Sequence, residues 1–160
     1  MNGVDVLKYG HQTVLQTLEG LSDSDWDTGG VCGVWSVKDI IAHLASYEHM
    51  LVEVLSTFLD GGPTPYLAKA EENGMAHFND SEVALRRDKS PGEALAEYRD
   101  TQAQTMALAA GIAPDKFRQT GSLQWYGPEY DLDDFIVYTY YGHKREHCAQ
   151  IAAFRDRPDR

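Results

Sequence analysis

Two histidines four residues apart give the clearest chemical signal in this 160-residue sequence. His143 and His147 lie between Asp133 and Phe154, a segment whose residue spacing of three and four predicts a helix. Residues four apart lie on one helix face about one turn apart, so the two imidazoles can converge on a single atom. The same spacing places both on the stripe that the helix buries. The predicted buried stripe comprises Ile136, Thr139, His143, Glu146 or His147, Gln150 and Phe154.

A third histidine, His43, is predicted on the buried face of an earlier helix. The start of that helix is strongly signalled, because Ser36 can cap it, Asp39 can reach back to the cap, and Trp35 can pack against Ile40. His43 lies about two turns inside, where an unpartnered polar ring would be costly. It is therefore a third candidate metal ligand.

Three neutral imidazoles suit a divalent ion of zinc, nickel, copper or iron. Three protein ligands leave a coordination position for water or substrate, which is typical of a catalytic rather than a structural centre. On zinc, a bound water is acidified to a pKa of about 7, and a bound thiol is deprotonated. We predict one divalent ion, Zn or Ni, on His43, His143 and His147. Two alternatives stay open: three unrelated histidines, or a metal bound without turnover.

Six further residues are candidates for lining the pocket or for orienting the ligand imidazoles. They are His11, Asp39, Tyr47, Tyr140, Glu146 and Gln150. His11, Tyr47 and Tyr140 are predicted to line a cavity above the metal, whereas the other three, with Tyr140, could hydrogen-bond to ligands from outside the coordination sphere. Asp39 is interpreted first as a helix cap, and His11 first as a core histidine bonded to a neighbour.

Three other side chains are interpreted as lying away from the site. His49 comes six positions after His43, about 240° round the helix, and is predicted to be solvated. His77 and Asn79 are interpreted as surface residues, with a place at the pocket mouth left open for Asn79.

The candidate ligands must be positioned by the second and fourth of four predicted helices. The four are expected from Val4 to about Leu21, from Ser36 to about Leu59, from Ser90 to Gly111, and from Asp131 to Phe154. Residues 22–30 are predicted to form a loop with one aromatic anchor.

The connection between the second and third helices is too long for a simple turn. It is predicted to hold a helix between Tyr66 and Arg87, broken near Asn73 and Gly74 and restarting with a cap at residues 79–81. The fold prediction is therefore a single all-α domain over residues 1–160, a four-helix bundle with a long crossover between helices 2 and 3.

Composition excludes several classes of partner. The formal net charge is -11, from 25 acidic and 14 basic side chains, and no basic face is predicted, which disfavours nucleic acid. Apolar runs are too short to cross a membrane, and the N-terminus does not resemble an export signal. Cys32 and Cys148 lack a partner motif and are interpreted as reduced thiols. A cytoplasmic protein with a small-molecule substrate is expected, and pairing into a homodimer is left open.

The chain resembles the DinB/YfiT-like four-helix-bundle proteins, which include thiol-dependent S-transferases and the metal-binding domain of mycothiol-dependent maleylpyruvate isomerase. The resemblance rests on the stretch from Trp35 to Leu44 and on His143-Lys-Arg-Glu-His147. It implies a divalent metal held by one histidine of helix 2 and two of helix 4. A low-molecular-weight thiol as cosubstrate and an electrophilic small molecule as substrate are implied likewise. The segment from Tyr66 to Asp88 matches no catalytic motif of the family, so the substrate stays open.

Overall fold

The computed structural model describes residues 2–159, and within them the chain forms helices and turns without a β-strand. An isolated antiparallel bridge joins Cys32 and Trp35. In chain order the α-helices are α1 (Gly3–Leu18), α2 (Asp23–Asp27), α3 (Val37–Ser56), α4 (Pro65–Asn73), α5 (Met75–Leu85), α6 (Pro91–Gly111), α7 (Leu132–Phe135) and α8 (Gly142–Arg155). A 3-10 helix covers Pro114–Arg118, and a π-helix (Ile136–Tyr141) joins α7 to α8. The predicted all-α class is confirmed.

The starts of the site-bearing helices are set by local capping. Ser36 accepts from the backbone N–H of Asp39, whose side chain accepts from the backbone N–H of Ser36 in return. Asp131 and Asp134 make the same reciprocal pair at the head of α7. Each pair satisfies backbone donors that a helix start leaves open, so the first helical residue is well defined. The helical phase of His43, seven residues after its cap, follows from that start.

Four long segments, α1, α3, α6 and the continuous run from α7 to α8, supply most of the core. Helix α3 packs mainly against α6, and α1 packs against α8 and the π-helix. Fully buried aliphatic residues of α3 face these neighbours along its whole length. They include Ile40, Ile41, Leu44, Leu51 and Leu55. Each such side chain contributes about 1.5–3 kcal/mol through burial, so α3 is firmly fixed in the core.

The crossover between α3 and α6 contains two helices. The predicted break is confirmed, since Gly74 separates α4 from α5 with a backbone φ of 77° that favours glycine. The predicted restart at residues 79–81 is wrong, because α5 already begins at Met75. The Ser81 hydroxyl donates to the Phe78 carbonyl at 3.0 Å within the helix and so is not a cap. Burial of Phe78 against Met50 fixes α5 on α3 instead.

Two other boundaries differ from the sequence prediction. Residues 22–30 were expected to be a loop, yet they contain α2, stabilised by a capping box between Ser22 and Asp25. The first and second predicted helices also end early, at Leu18 and Ser56. In the described part of the chain, none of the helices is both long and apolar enough to span a bilayer.

Candidate metal centre

Three imidazoles converge where α3 faces α8. The Nε2 atom of His143 lies 2.9 Å from Nε2 of His43 and 2.9 Å from Nε2 of His147. One ligand atom from each ring lies within 4.8 Å of the other two. Nitrogens about 2.1 Å from a shared ion would lie about 3.0 Å apart at right angles and about 3.4 Å apart in a tetrahedron. The observed spacing has the dimensions of a coordination site.

Hydrogen bonds among the three rings cannot satisfy them. A neutral imidazole nitrogen has either one proton to donate or one lone pair to accept with. Nε2 of His143 therefore cannot make two full hydrogen bonds, although two nitrogens lie at bonding distance from it. A divalent ion, which accepts one lone pair from each ring, would satisfy all three at once. The donor set thus fits a metal ion on the geometry of these residues alone.

His43 is the most enclosed of the three. Its side chain is 2% exposed, and its Nδ1 atom is buried without a hydrogen-bond partner among the described residues. Its ring packs between Trp35, with ring centres 4.9 Å apart, and Tyr47, at 4.7 Å. Burial, followed by the proximity of His143 and His147, lowers the pKa of His43 to about 2. The ring is neutral at physiological pH, which metal coordination requires.

The two histidines of α8 are neutral for similar reasons. Burial, with contributions from His147 and Lys144, lowers the pKa of His143 to about 3. Burial also lowers the pKa of His147, opposed by Gln150 and Glu146. Nδ1 of His147 lies 2.8 Å from Oε1 of Gln150, an oxygen that can only accept. The proton of His147 is therefore on Nδ1, and the lone pair of Nε2 points toward the other two histidines.

The π-helix sets the orientation of His143 and His147. Its hydrogen bond from the Gly142 N–H to the Val137 carbonyl spans five residues instead of four. The buried stripe consequently runs through Tyr140, Lys144 and His147 rather than through Thr139, which the sequence placed on it. Thr139 is half-buried and Glu146 is exposed. The prediction for Thr139 is wrong because it assumed an uninterrupted α-helix, whereas of the two alternatives Glu146 and His147 the buried residue is His147.

Tyr47 connects the histidines to the crossover. Its ring centre lies 4.4 Å from that of His143 and 6.2 Å from that of Tyr140. Burial raises the pKa of Tyr47, and a hydrogen bond with the Asn79 side chain opposes that rise. The Asn79 amide oxygen is buried without a partner of its own among the described residues. Asn79 is therefore half-buried beside Tyr47 rather than a plain surface residue, and its place at a pocket mouth stays a prediction.

Other predicted residues lie farther from the histidine cluster. Nδ1 of His11 lies 3.3 Å from the Tyr98 hydroxyl, at hydrogen-bond distance. Asp39 is engaged in the cap of α3, and Tyr140 is buried against Phe135 and Tyr47. The roles of His11, Asp39, Tyr140 and Glu146 at a metal centre stay predictions.

The two histidines predicted to be solvated differ. His77 is exposed, as expected. His49 is half-buried, with Nε2 3.1 Å from Oε1 of Glu97 and its ring stacked on Tyr66 at 4.7 Å. The prediction of a solvated His49 is wrong, because α4 and α6 cover the second face of α3.

An ion pair that the sequence analysis overlooked lies within the same interface. The Lys144 ammonium contacts the Glu48 carboxylate, and both side chains are almost fully buried. A signal was present, since Glu48 follows Leu44 by four residues and precedes Leu51 by three on the apolar stripe of α3. A carboxylate at such a position requires a cation opposite.

Two cavities lie away from the histidine cluster. One of about 410 Å³ lies between the crossover and α6, lined by residues that include Tyr66, Arg86 and Glu97. The other, of about 490 Å³, lies between the start of α1 and the 3-10 helix. None of the three histidines lines either cavity.

Comparison with known protein families matches residues 7–151 to the DinB superfamily. The matched region contains His43, His143 and His147. No curated protein and no solved structure matches the chain. Because the match covers most of the sequence, the chain belongs to the DinB superfamily.

Proposed function

We propose that this DinB superfamily protein binds one divalent metal ion, Zn²⁺ or Ni²⁺, through Nε2 of His43, His143 and His147. The observation that carries the proposal is the convergence of three neutral imidazole nitrogens that hydrogen bonds among themselves cannot satisfy. Imidazole is a preferred ligand of both ions. Three protein ligands leave a further coordination position for an exogenous molecule.

The favoured reaction is transfer of a low-molecular-weight thiol to an electrophilic small molecule, or hydrolysis of such a molecule. When bound, the ion would act as a Lewis acid and lower the pKa of a water or thiol bound to it. Gln150 would hold His147 in the tautomer that presents Nε2. Trp35 and Tyr47 would pack against two sides of the His43 ring and limit the approach of water.

A binding module without turnover is the second candidate. It is favoured by the enclosure of His43 and by the position of both described cavities away from the histidines. In this case the metal would serve ligand sensing or a stress response, and an added thiol would bind without being consumed.

Metal content measured by elemental analysis tests the first step of the proposal. The purified protein is expected to hold about one ion per chain, and His43→Ala is expected to hold much less. Turnover of a panel of thiols and electrophiles, abolished by a chelator and restored by added Zn²⁺ or Ni²⁺, would then distinguish the enzyme from the binding module. Absence of metal from wild-type protein titrated with either ion would contradict both.

We further propose a small-molecule partner in the cytoplasm and no contact with nucleic acid or membrane. The formal charge of -11 supports the absence of nucleic-acid and membrane contact, since such a surface repels phosphate backbones and anionic headgroups.

A further inference from the structure

A buried ion pair links the two helices that carry the histidines. Glu48 follows His43 by five residues on α3, and Lys144 is the residue after His143 on α8. Their side chains are 0% and 4% exposed, and the Lys144 ammonium contacts Oε1 of the Glu48 carboxylate. The other carboxylate oxygen accepts a hydrogen bond of 2.9 Å from the Thr105 hydroxyl on α6. The pair is therefore anchored to three helices.

Stability alone is a poor explanation for this pair. Taking two charges out of water is costly, and replacing a buried ion pair with apolar residues of similar volume is often neutral or stabilising. The Lys144 ammonium also lies over the Tyr98 ring, 5.7 Å from its centre, but such a cation–π contact offsets only part of the cost of burying two charges. What the pair does supply is a short, directional contact that only one arrangement of the two helices permits.

The α3 and α8 helices need such a contact. Helix α3 packs mainly against α6, and α8 packs mainly against α1. One apolar cluster contains Ile40 and Leu44 of α3 together with Ile151 and Phe154 of α8, but each ligand-bearing helix makes most of its contacts with a different partner. The register of His43 relative to His143 depends on what joins α3 to α8 directly, and the Glu48–Lys144 pair is adjacent to both ligands.

We infer that Glu48 and Lys144 are positioning residues, which hold α3 and α8 in the register that lets His43, His143 and His147 share one ion. This inference rests on the proposed function, because it concerns the metal affinity of the same site. It assigns neither residue a contact with the metal or with a substrate.

Three variants separate positioning from simple electrostatics. Glu48→Gln, Lys144→Met and the double variant are each expected to bind Zn²⁺ about tenfold more weakly, or worse, as substitutions around metal ligands generally do. If charge were the only influence, Lys144→Met would remove a cation near the ion and tighten binding, while Glu48→Gln would weaken it. A tighter Lys144→Met variant would therefore overturn the inference.

The double variant also guards against loss of folding, because it leaves neither buried charge without its partner. Helicity by circular dichroism checks the fold, and the absorption spectrum of bound Co²⁺ reports the coordination geometry. We expect weaker binding and an altered Co²⁺ spectrum. Wild-type affinity with an unchanged spectrum would overturn the inference while leaving the proposed metal centre intact.

Two further proteins complete the experiment. Glu82→Gln is the matched control, since Glu82 is a buried carboxylate paired with Arg86 and Lys69 away from the α3–α8 interface. It is expected to keep wild-type affinity for Zn²⁺. Thr105→Val keeps both charges and removes the hydrogen bond to Glu48, so a loss of a few fold is expected. If wild-type protein itself fails to bind Zn²⁺ and Co²⁺, the proposed function is overturned and the inference with it.

Discussion

The histidine cluster and the cluster around Arg86 are both buried and polar, but they differ in how far their groups are satisfied. Arg86 donates to both carboxylate oxygens of Glu97, to the carbonyl and carboxylate of Glu82, and to the Tyr66 hydroxyl. All five of its N–H groups thus have acceptors. In the histidine cluster, Nδ1 of His43 has no partner among the described residues, and Nε2 of His143 has two competing neighbours.

The electrostatics of the two clusters differ in the same way. Burial alone would lower the pKa of Arg86, but hydrogen bonds to Glu97 and Glu82 raise it. Burial works against ionisation of Glu97 as well, yet His49 and Arg86 hold its pKa well below the usual range. The histidines remain neutral because burial lowers their pKa values, and only at His147 do Gln150 and Glu146 oppose that effect in part. The Arg86 cluster, whose polar groups are hydrogen-bonded to one another, joins the crossover to α6. The histidine cluster, whose nitrogens lack such partners, is suited to an added ion.

The largest expected effect is loss of metal binding from the unsatisfied cluster. Replacing His43, His143 or His147 with Ala is expected to abolish most of the metal-induced rise in Tm, since binding free energy adds to the stability of the folded state. The apoprotein should remain folded, because its core does not depend on the ion. Thermal melts with and without Zn²⁺ measure the metal-induced rise in Tm and show whether the apoprotein is folded.

His77 and His49, which lie outside the histidine cluster, serve as two different controls for that experiment. His77→Ala should change neither metal content nor Tm, because His77 is exposed. His49→Ala should keep full metal content but lower Tm, because it removes a partner of Glu97. Loss of metal from either variant would show that the ligands are assigned wrongly.

As pH falls, the two clusters should begin to lose stability at different pH values. The unfolded chain protonates its imidazoles below a pKa of about 6.5, whereas the folded chain protonates His43 only near 2 and His143 near 3. The unfolded state therefore binds more protons, and apoprotein stability falls as pH drops from about 6.5, by up to about 1.4 kcal/mol per pH unit for each imidazole. His43→Phe should flatten this slope in urea denaturation.

The Arg86 cluster should begin to respond only at a lower pH than the histidines do. The folded pKa of Glu97 lies below its ordinary value of 4.5, so its stabilising contribution is present above 4.5 and is lost as pH falls further. His43→Phe should leave this second loss unchanged. A single acid transition with the same slope in both proteins would contradict the distinction.

Breaking the satisfied cluster should cost stability without affecting metal. Arg86→Met leaves Glu82 and Glu97 with fewer partners in a buried setting and is expected to lower the free energy of unfolding by about 3 kcal/mol. Isothermal titration with Zn²⁺ should give the wild-type Kd, since Arg86 lies on the crossover side of α3. A weaker Kd would show that the two clusters are coupled.

The smallest expected effect concerns the hydrogen bond between Gln150 and the candidate ligand His147. Gln150→Leu removes the acceptor that fixes His147, and about tenfold weaker metal binding is expected. Gln104→Leu makes the same chemical change on an exposed position of α6 and should leave the Kd unchanged. Equal affinities in both variants would show that the bond to Gln150 does not orient the ligand.

The sequence predicted those parts of the structure that depend on short spacings. His143 and His147 are one turn apart, and the capping pair of Ser36 and Asp39 fixes the phase of His43, so the buried face that carries each could be inferred from local rules. That the two helices bring the three together was implied by the family resemblance. The start of α5 could not be inferred from local rules, because it is determined by burial of Phe78 against another helix. The partners of His49 and the pairing of Glu48 with Lys144 likewise depend on residues distant in sequence.

The π-helix before His143 gives the last helical run two independent faces. One additional residue in a helix rotates everything after it by about 100°. The part of the run before the π-helix can thus be matched to the apolar core through Leu132 and Phe135, while the part after it is matched to His43. Deleting a single residue from Ile136–Tyr141 would restore an even pitch and turn both histidines away from α3. The extra residue of the π-helix thus turns His143 and His147 toward His43. Their orientation can therefore change without changing how α7 packs in the core.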